Sequence, residues 1–324
     1  MKCLSAVAVK SILMLSTCFL TVAAAQTYPS KPLRFVVPFA PGGGADTLGR
    51  LVSQKVAESL GQQVIVDNRG GAGGNVAAEV VSRALPDGYT LLQANVAHAI
   101  SASLYRKLNY DLIKDFAPIT LLASSPYLLM VNPTVQASSV RELIALAKAR
   151  PGQLTYGSSG TGAHSHLLTE LFNSMAGVEV RHVPYKGAGP AMIDLISGQI
   201  QISFNTLGVA LPLVKSGKLK GLAVTSSRRV PEEPGYPTIA EAGVNGYEAL
   251  TWYGVMAPAK TPNSIIEKLH KEFTAALNSP DLKGRLADLS FEPVVNTPTQ
   301  FAEYVRSEIP KWAAVVKSTA AKAD

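Results

Sequence analysis

The sequence predicts an α/β protein of two domains, and three observations carry that prediction. Apolar β-branched runs alternate with helical patterns along the whole chain, which is the signature of helices layered on largely parallel sheets. About 300 residues follow a short N-terminal leader, enough for two domains of ordinary size. Four strand-to-helix loops are unusually rich in Gly, Ser, Thr or Asn: residues 40–46 (APGGGAD), 94–99 (ANVAHA), 157–166 (GSSGTGAHSH) and 184–189 (PYKGAG). Open parallel sheets bind ligands beyond the carboxyl ends of their strands, where such loops lie.

The elements follow in order. Residues 1–25 read as a secretory signal peptide: Lys2 and Lys10 form a basic start, Ser11–Val22 an apolar stretch too short to span a bilayer, and Ala23–Ala25 a cleavage site before Gln26. Both cysteines, Cys3 and Cys18, lie in this leader, so the remaining chain has no disulfide or thiolate chemistry. Removing Lys2 and Lys10 leaves 28 basic and 23 acidic residues, a net charge of +5 with no basic tract of the kind that binds nucleic acid. Phe35–Phe39 then reads as a strand, Gly42–Gly44 as a loop, and Leu48, Leu51, Val52, Val56 and Leu60 as one face of a helix. Strands are expected at 63–66, within 86–94 after a turn, and at 126–132, 153–160, 178–185, 201–205, 219–226 and 253–257, with helices at 76–85, 262–278 and 298–318. Ser139/Glu142 and Thr297/Gln300 have capping-box spacing.

Several chemistries are tested against these loops. A P-loop requires Lys after the glycines, and none follows Gly44. A dinucleotide fingerprint requires Gly or Ala where Thr47 stands. Ser158 and Ser159 occupy a loop that lacks the last glycine of a nucleophile elbow. A secreted α/β hydrolase with His164 or His166 as base and Asp194 as orienting group is therefore the second reading. His164 and His166 lack a third ligand at metal spacing, so no metal or cofactor is expected. Asp46 is expected to be a helix N-cap. The first reading is an anion cradle: backbone N–H groups of Gly42–Gly44 at the positive end of a helix.

The blocks YPSKPLRFVVPFAPGGGADTLGRLV (28–52), VIVDNRGGAGGNVAAEVVSRALPDGYTLL (64–92), LTYGSSGTGAHSHLLTELF (154–172), HVPYKGAGPAMIDLISGQI (182–200) and WYGVMAPAKTP (252–262) resemble the Bug family, the extracytoplasmic solute receptors of tripartite tricarboxylate transporters. The resemblance implies a type II periplasmic binding protein fold, with domain 1 at 26–126 plus 249–324, domain 2 at 127–248, and two crossovers between them. It implies a periplasmic monomer, not an enzyme, that closes on a small carboxylate and passes it to membrane subunits where a cognate transporter exists. Carried over by position, the implied ligand contacts from domain 1 are Pro41, Gly42, Gly43, Gly44, Ala45 and Asp46 and the segment Asn95–His98, with Asn95 and His98 as its contact residues. Ser158, Ser159, Thr161, His164, Tyr185, Lys186, Gly187 and Asn205 are the implied contacts from domain 2. Many members have Asp near the position of Asn205; a neutral amide there does not pair with an amino group, which speaks against an amino-acid ligand.

Overall fold

The computed structural model describes residues 28–319 and 321–322, so the leader and its cleavage site lie outside the described residues. The chain opens with β1 (Leu33–Val37), α1 (Gly44–Leu60), β2 (Val64–Asn68), α2 (Asn75–Ser82), β3 (Thr90–Asn95) and α3 (Val96–Leu104). Helix α1 starts from Gly43, whose backbone is extended, and stops at Gly61, which takes the left-handed conformation that favours glycine. Its Leu48, Val52 and Val56 are fully buried against the sheet. Strands β1, β2 and β3 pair in parallel, as their βα connections require.

A 16-residue strand, β4 (Phe116–Val131), leads into the second half of the molecule. There α4 (Val140–Ala149), β5 (Thr155–Ser158), α5 (His164–Ala176), β6 (Arg181–Pro184), α6 (Ala188–Ser197), β7 (Ile202–Thr206), α7 (Leu207–Lys215) and β8 (Lys220–Val224) follow. Strand β5 pairs in parallel with both β6 and β7. The chain returns through β9 (Leu250–Pro258) and closes with α8 (Asn263–Asn278), α9 (Pro280–Asp288), β10 (Glu292–Pro293) and α10 (Pro298–Ser318).

The expectation of largely parallel sheets holds only within each half. At the centre, β9 runs antiparallel to both β3 and β4, and β4 runs antiparallel to β7, β8 and β10. The cause is the long strand itself. Residues 116–126 of β4 pair with β9, whereas residues 127–131 pair with β7 and β8. One strand thus serves two sheets, and its partners change beside Pro126, a residue with no N–H to offer a ladder. Of this strand only 126–132 is expected from sequence, and Pro118 and Pro126 each lack an N–H for the ladder. Pro118 sits at a register shift against β9, where a proline is tolerated.

Of the two expected capping boxes, that at α10 forms completely: Gln300 N–H donates to Thr297 Oγ1 (3.2 Å) and Thr297 N–H to Gln300 Oε1 (2.9 Å). That at α4 forms in part. Glu142 N–H donates to Ser139 Oγ, but the Glu142 carboxylate accepts from Ser138 N–H, one residue earlier. Helix α10 lies across both halves, placing Trp252 and Trp312 in one apolar cluster with Leu129, Tyr156 and Phe204. Between the two indoles Glu308, 3 % exposed, accepts from Trp252 Nε1 (2.9 Å) and Trp312 Nε1 (3.0 Å).

Candidate ligand-binding site

The carboxyl ends of β1, β3, β5, β6 and β7 all point to the junction of the two halves, so their loops meet there. The loop 40–44 of the first half lies against 186–189 of the second, and Ala40 N–H donates to Lys186 O (3.0 Å) across the junction. The closeness requires glycine at 187, where a Cβ would lie 2.7 Å from Ala40 N, whereas one on Gly42 would make an ordinary contact, 3.5 Å from Gly189 Cα. Of the Gly42–Gly44 run only Gly42 has a positive φ, +91°. Gly43 and Gly44 are needed for approach rather than for backbone conformation, since their added Cβ atoms would meet Ala188 and Thr206 of the other half.

Between the halves lies a cavity of about 20 Å³, room for roughly one water molecule. Phe39, Gly43, Gly44, Ala45, Asn95 and Val96 line it from the first half. Ser159, Ala163, His164, Ala188 and Asn205 line it from the second, and Tyr127, Thr251 and Tyr253 from the bridging strands. Among these described residues there is no Lys, Arg, Asp or Glu. Four helices begin on the wall instead: α1 at Gly44, α3 at Val96, α5 at His164 and α6 at Ala188. The first N–H groups of a helix have no acceptor within it and carry the positive end of its dipole. Four such ends around one space favour an anion without any cationic side chain.

Side chains on the wall add unpaired polar atoms. Asn95 caps α3 with its Oδ1, which accepts from Ala97 N–H (2.9 Å), leaving Nδ2 buried and without a protein partner. Asn205 Oδ1 accepts from Thr206 N–H (2.8 Å), and its Nδ2 is likewise unpaired. Both ring nitrogens of His164 are buried and unpaired. Its ring is held edge-on by Tyr127 and Trp312, each at 5.1 Å between centroids. Burial, and secondarily the Lys311 ammonium, push His164 down to about 3. Buried polar atoms nearly always find a partner, so this concentration at one cavity marks a place for a polar ligand.

The sequence-derived residues therefore divide. Gly43, Gly44, Ala45, Asn95, Ser159, His164 and Asn205 line the cavity. Thr161, Tyr185 and Lys186 line a separate open depression with Gly71, Ala72 and Gly160, beside the cleft. Pro41, Gly42 and Gly187 form the closing contact. Asp46 is neither an N-cap nor on the wall. It sits within the first turn of α1, where its carboxylate accepts from Gly42 N–H (3.2 Å) and Asn68 Nδ2 (3.0 Å) and pairs with Arg50 (2.9 Å). Burial would raise its pKa, but Arg50, Asn68 and the Gly42 N–H outweigh it and hold the carboxyl below the usual range. His98 supports Asn95 from behind: its Nδ1 accepts from Asn95 N–H (3.1 Å), and burial pushes it down to about 4.

The hydrolase constellation does not assemble. Ser158 is buried and bonded to His182 Nε2 (2.6 Å), a residue outside that reading, and it accepts from Gly160 N–H (3.1 Å). His182 is stacked between Tyr156 and His166, and among the described residues no carboxylate orients it. Asp194 instead accepts from Tyr185 Oη (2.6 Å). These bonds shape the loop that presents Ser159 and His164. The sequence reading missed Phe39, Tyr127, Ala163, Ala188, Thr251 and Tyr253. The last pair comes from β9, and the only available signal was the WYGV block, which by itself reads as a buried strand.

Comparison with known proteins identifies the family. Residues 48–320 match the family described as tripartite tricarboxylate transporter family receptor. Protein BugT of Bordetella pertussis is 37 % identical over 300 residues, covering 92 % of each chain. A structure of an R. palustris protein with adipate is similar at 39 % identity and a TM-score of 0.87, covering 90 % of this chain and 98 % of that one. MatC from Rhodopseudomonas palustris with bound malate is similar at 34 % identity and a TM-score of 0.85, covering 89 % and 100 %. The relatives are solute-binding proteins with the two-domain fold of periplasmic receptors, and none of these comparisons favours a hydrolase. The chain belongs to the tripartite tricarboxylate transporter receptor family, whose members are periplasmic solute-binding proteins and not enzymes.

Proposed function

We propose that this receptor captures a small organic carboxylate between two lobes, 26–126 plus 249–324 and 127–248, and delivers it to the membrane subunits of a transporter. The observation that carries the reading is the cavity wall: four helix N-termini and unpaired amide and imidazole groups, with no charged side chain among the described residues. Each charge-assisted bond to a carboxylate contributes roughly 1.5–3 kcal/mol. Three or four, less ordering costs, match the ~8 kcal/mol of a micromolar complex. The adipate and malate held by similar proteins support the ligand class. The change of β4 partners beside Pro126 supports the first lobe boundary. A ligand that touches both walls of this cavity enters when the lobes part, in the manner of hinged receptors. The chain acts as a monomer in the periplasm, after cleavage behind Ala25.

A thermal-shift screen of residues 26–324 against mono-, di- and tricarboxylic acids tests the reading. A ligand at 100 times its Kd stabilises by about 2.7 kcal/mol, a visible rise in Tm. A panel in which amines or sugars shift the protein and no acid does would overturn it.

A further inference from the structure

We propose that His164 sorts acids by charge: closing the lobes strips its proton unless the ligand brings a second carboxylate to meet the ring, so acidification favours dianions over monoanions. This rests on the carboxylate-receptor reading above. The geometry behind it is the position of His164 between the two halves. The residue belongs to α5, yet Trp312 of α10 covers one side of its ring, and the wall opposite is built from Gly43–Ala45 and Asn95. With the lobes apart, the wall of Gly43–Ala45 and Asn95 withdraws and the side of the ring that faces the cavity meets water. Closed, it is 3 % exposed with neither nitrogen bonded to protein.

The surroundings offer a buried imidazolium nothing. From α10, the Lys311 ammonium repels it, and the Glu308 carboxylate is already engaged by Lys311 and both indoles. From β4 and β9 come Tyr127 and Tyr253, both with burial-raised pKa values and so neutral at working pH. From α1, α3, α6 and β7 the wall is Gly43–Ala45, Asn95, Val96, Ala188 and Asn205, none of which titrates. A first carboxylate is matched by the helix N-termini. A second finds on this wall only His164 able to become a cation.

No other histidine shares this place. His98 is locked into the Asn95 cap, His166 and His182 stack on each other within the second half, and His270 bonds to Ile119 O. Proton release on closure therefore reports on His164. An open-state ring with the ordinary value of about 6.5, closing to about 3, gives up about three-quarters of a proton at pH 6.0. Affinity for a monoanion then falls about fourfold between pH 8.0 and 6.0. A dianion that retains the proton escapes this fall.

The experiment is titration calorimetry on residues 26–324 with adipate and its monomethyl ester, at pH 8.0 and 6.0, in buffers of different ionisation enthalpy. The expected result is a roughly fourfold loss for the ester with buffer-dependent heat at pH 6.0, no such loss for adipate, and no loss for the ester in His164→Gln. Ester binding that is equal at both pH values without buffer-dependent heat, or that weakens equally in His164→Gln, overturns the inference and leaves the receptor reading standing. Failure of both adipate and its ester to bind, with the protein folded, overturns the inference, and the acid panel above then decides the receptor reading separately. Should His164→Gln fail to fold, the buffer comparison on the unsubstituted protein decides alone.

Discussion

Gly44→Ala separates lobe closure from lobe folding. Gly44 is the first residue of α1, and its neighbour across the cleft is Thr206, at the end of β7. An added Cβ would fall at or within 3.0 Å of Thr206 Oγ1, Cγ2 and Cβ, closer than real Cβ atoms approach other groups. Ordinary contact begins near 3.4 Å, so the loops must separate by roughly 1 Å. A hydrogen bond stretched by that much is effectively broken. If two charge-assisted bonds to the ligand carboxylate are lost, the cost is about 3 kcal/mol or more, a roughly hundredfold weaker Kd. Folding of the separate lobes should not suffer, because Ala is the better helix former by up to ~1 kcal/mol. Gly284→Ala supplies the control: this glycine lies within α9 with open space at its Cβ position. The assay is calorimetric affinity for the best acid from the screen, beside Tm and circular dichroism. Thr206→Gly removes the opposing side chain, so the double substitution should recover most of the loss, a coupling that distant sites do not show. Wild-type affinity in Gly44→Ala, or a loss that Thr206→Gly leaves unchanged, would refute the reasoning.

Two further perturbations test the scaffold. Glu308→Leu leaves the indole N–H groups of Trp252 and Trp312 buried without an acceptor, and urea unfolding should show a loss of about 2 kcal/mol or more; unchanged stability would mean that water replaces the carboxylate. Acid stability should report on His98, whose folded pKa of about 4 lies below the ordinary 6.5. A depressed value contributes stability that is fully present above pH 6.5 and is lost as pH falls toward 4, roughly 2 kcal/mol by pH 5. His98→Gln keeps a side-chain acceptor for Asn95 N–H and removes the titration, so the dependence of the urea midpoint on pH between 6.5 and 4 should become shallower by about one proton's worth. An identical slope in the two proteins would assign that acid sensitivity to other groups.

The fold was legible in the sequence wherever one element decides its own conformation. Helix α1 follows from the spacing of Leu48, Val52 and Val56, and the α10 boundary from Thr297 and Gln300. Strand β4 was not legible, since its length depends on finding partners in two sheets, and Pro118 and Pro126 argue locally against it. The site shows the same division. The glycine loop announces itself, because a chain that must come close to another has to shed its Cβ atoms. That the closeness at Gly44 is to Thr206, some 160 residues away, appears only once the halves are placed together. Asp46 misled for a related reason. A carboxylate at the start of a helix reads as a cap or a ligand contact, and only the fold shows Arg50, Asn68 and Gly42 already occupying it. Tyr127, Thr251 and Tyr253 escaped because residues on bridging strands look like any buried core.

The contacts that close the cleft also bear on how tightly the lobes hold each other. Where the halves meet, Ala40, Gly42 and Gly43 face Gly187, Ala188 and Gly189. Such residues have little or no side chain, and apolar burial contributes only about 25 cal/mol per Å². This loop pair therefore adds a few backbone approaches and the hydrogen bond from Ala40 N–H to Lys186 O, and at a second point Tyr105 Oη donates to Thr161 O (2.8 Å). A bulky apolar interface would hold the lobes shut whether or not a ligand lay between them, and a ligand that binds both states equally shifts nothing. Because this loop contact adds little, the bonds that a carboxylate makes to both halves at once add a closing term that only the ligand supplies. Moving a population from 1:99 to 99:1 takes about 5.5 kcal/mol of differential affinity. Two or three charge-assisted bonds present only in the closed form lie in that range. The glycines thus serve both requirements: they let the N–H groups reach the ligand, and they keep closure dependent on it.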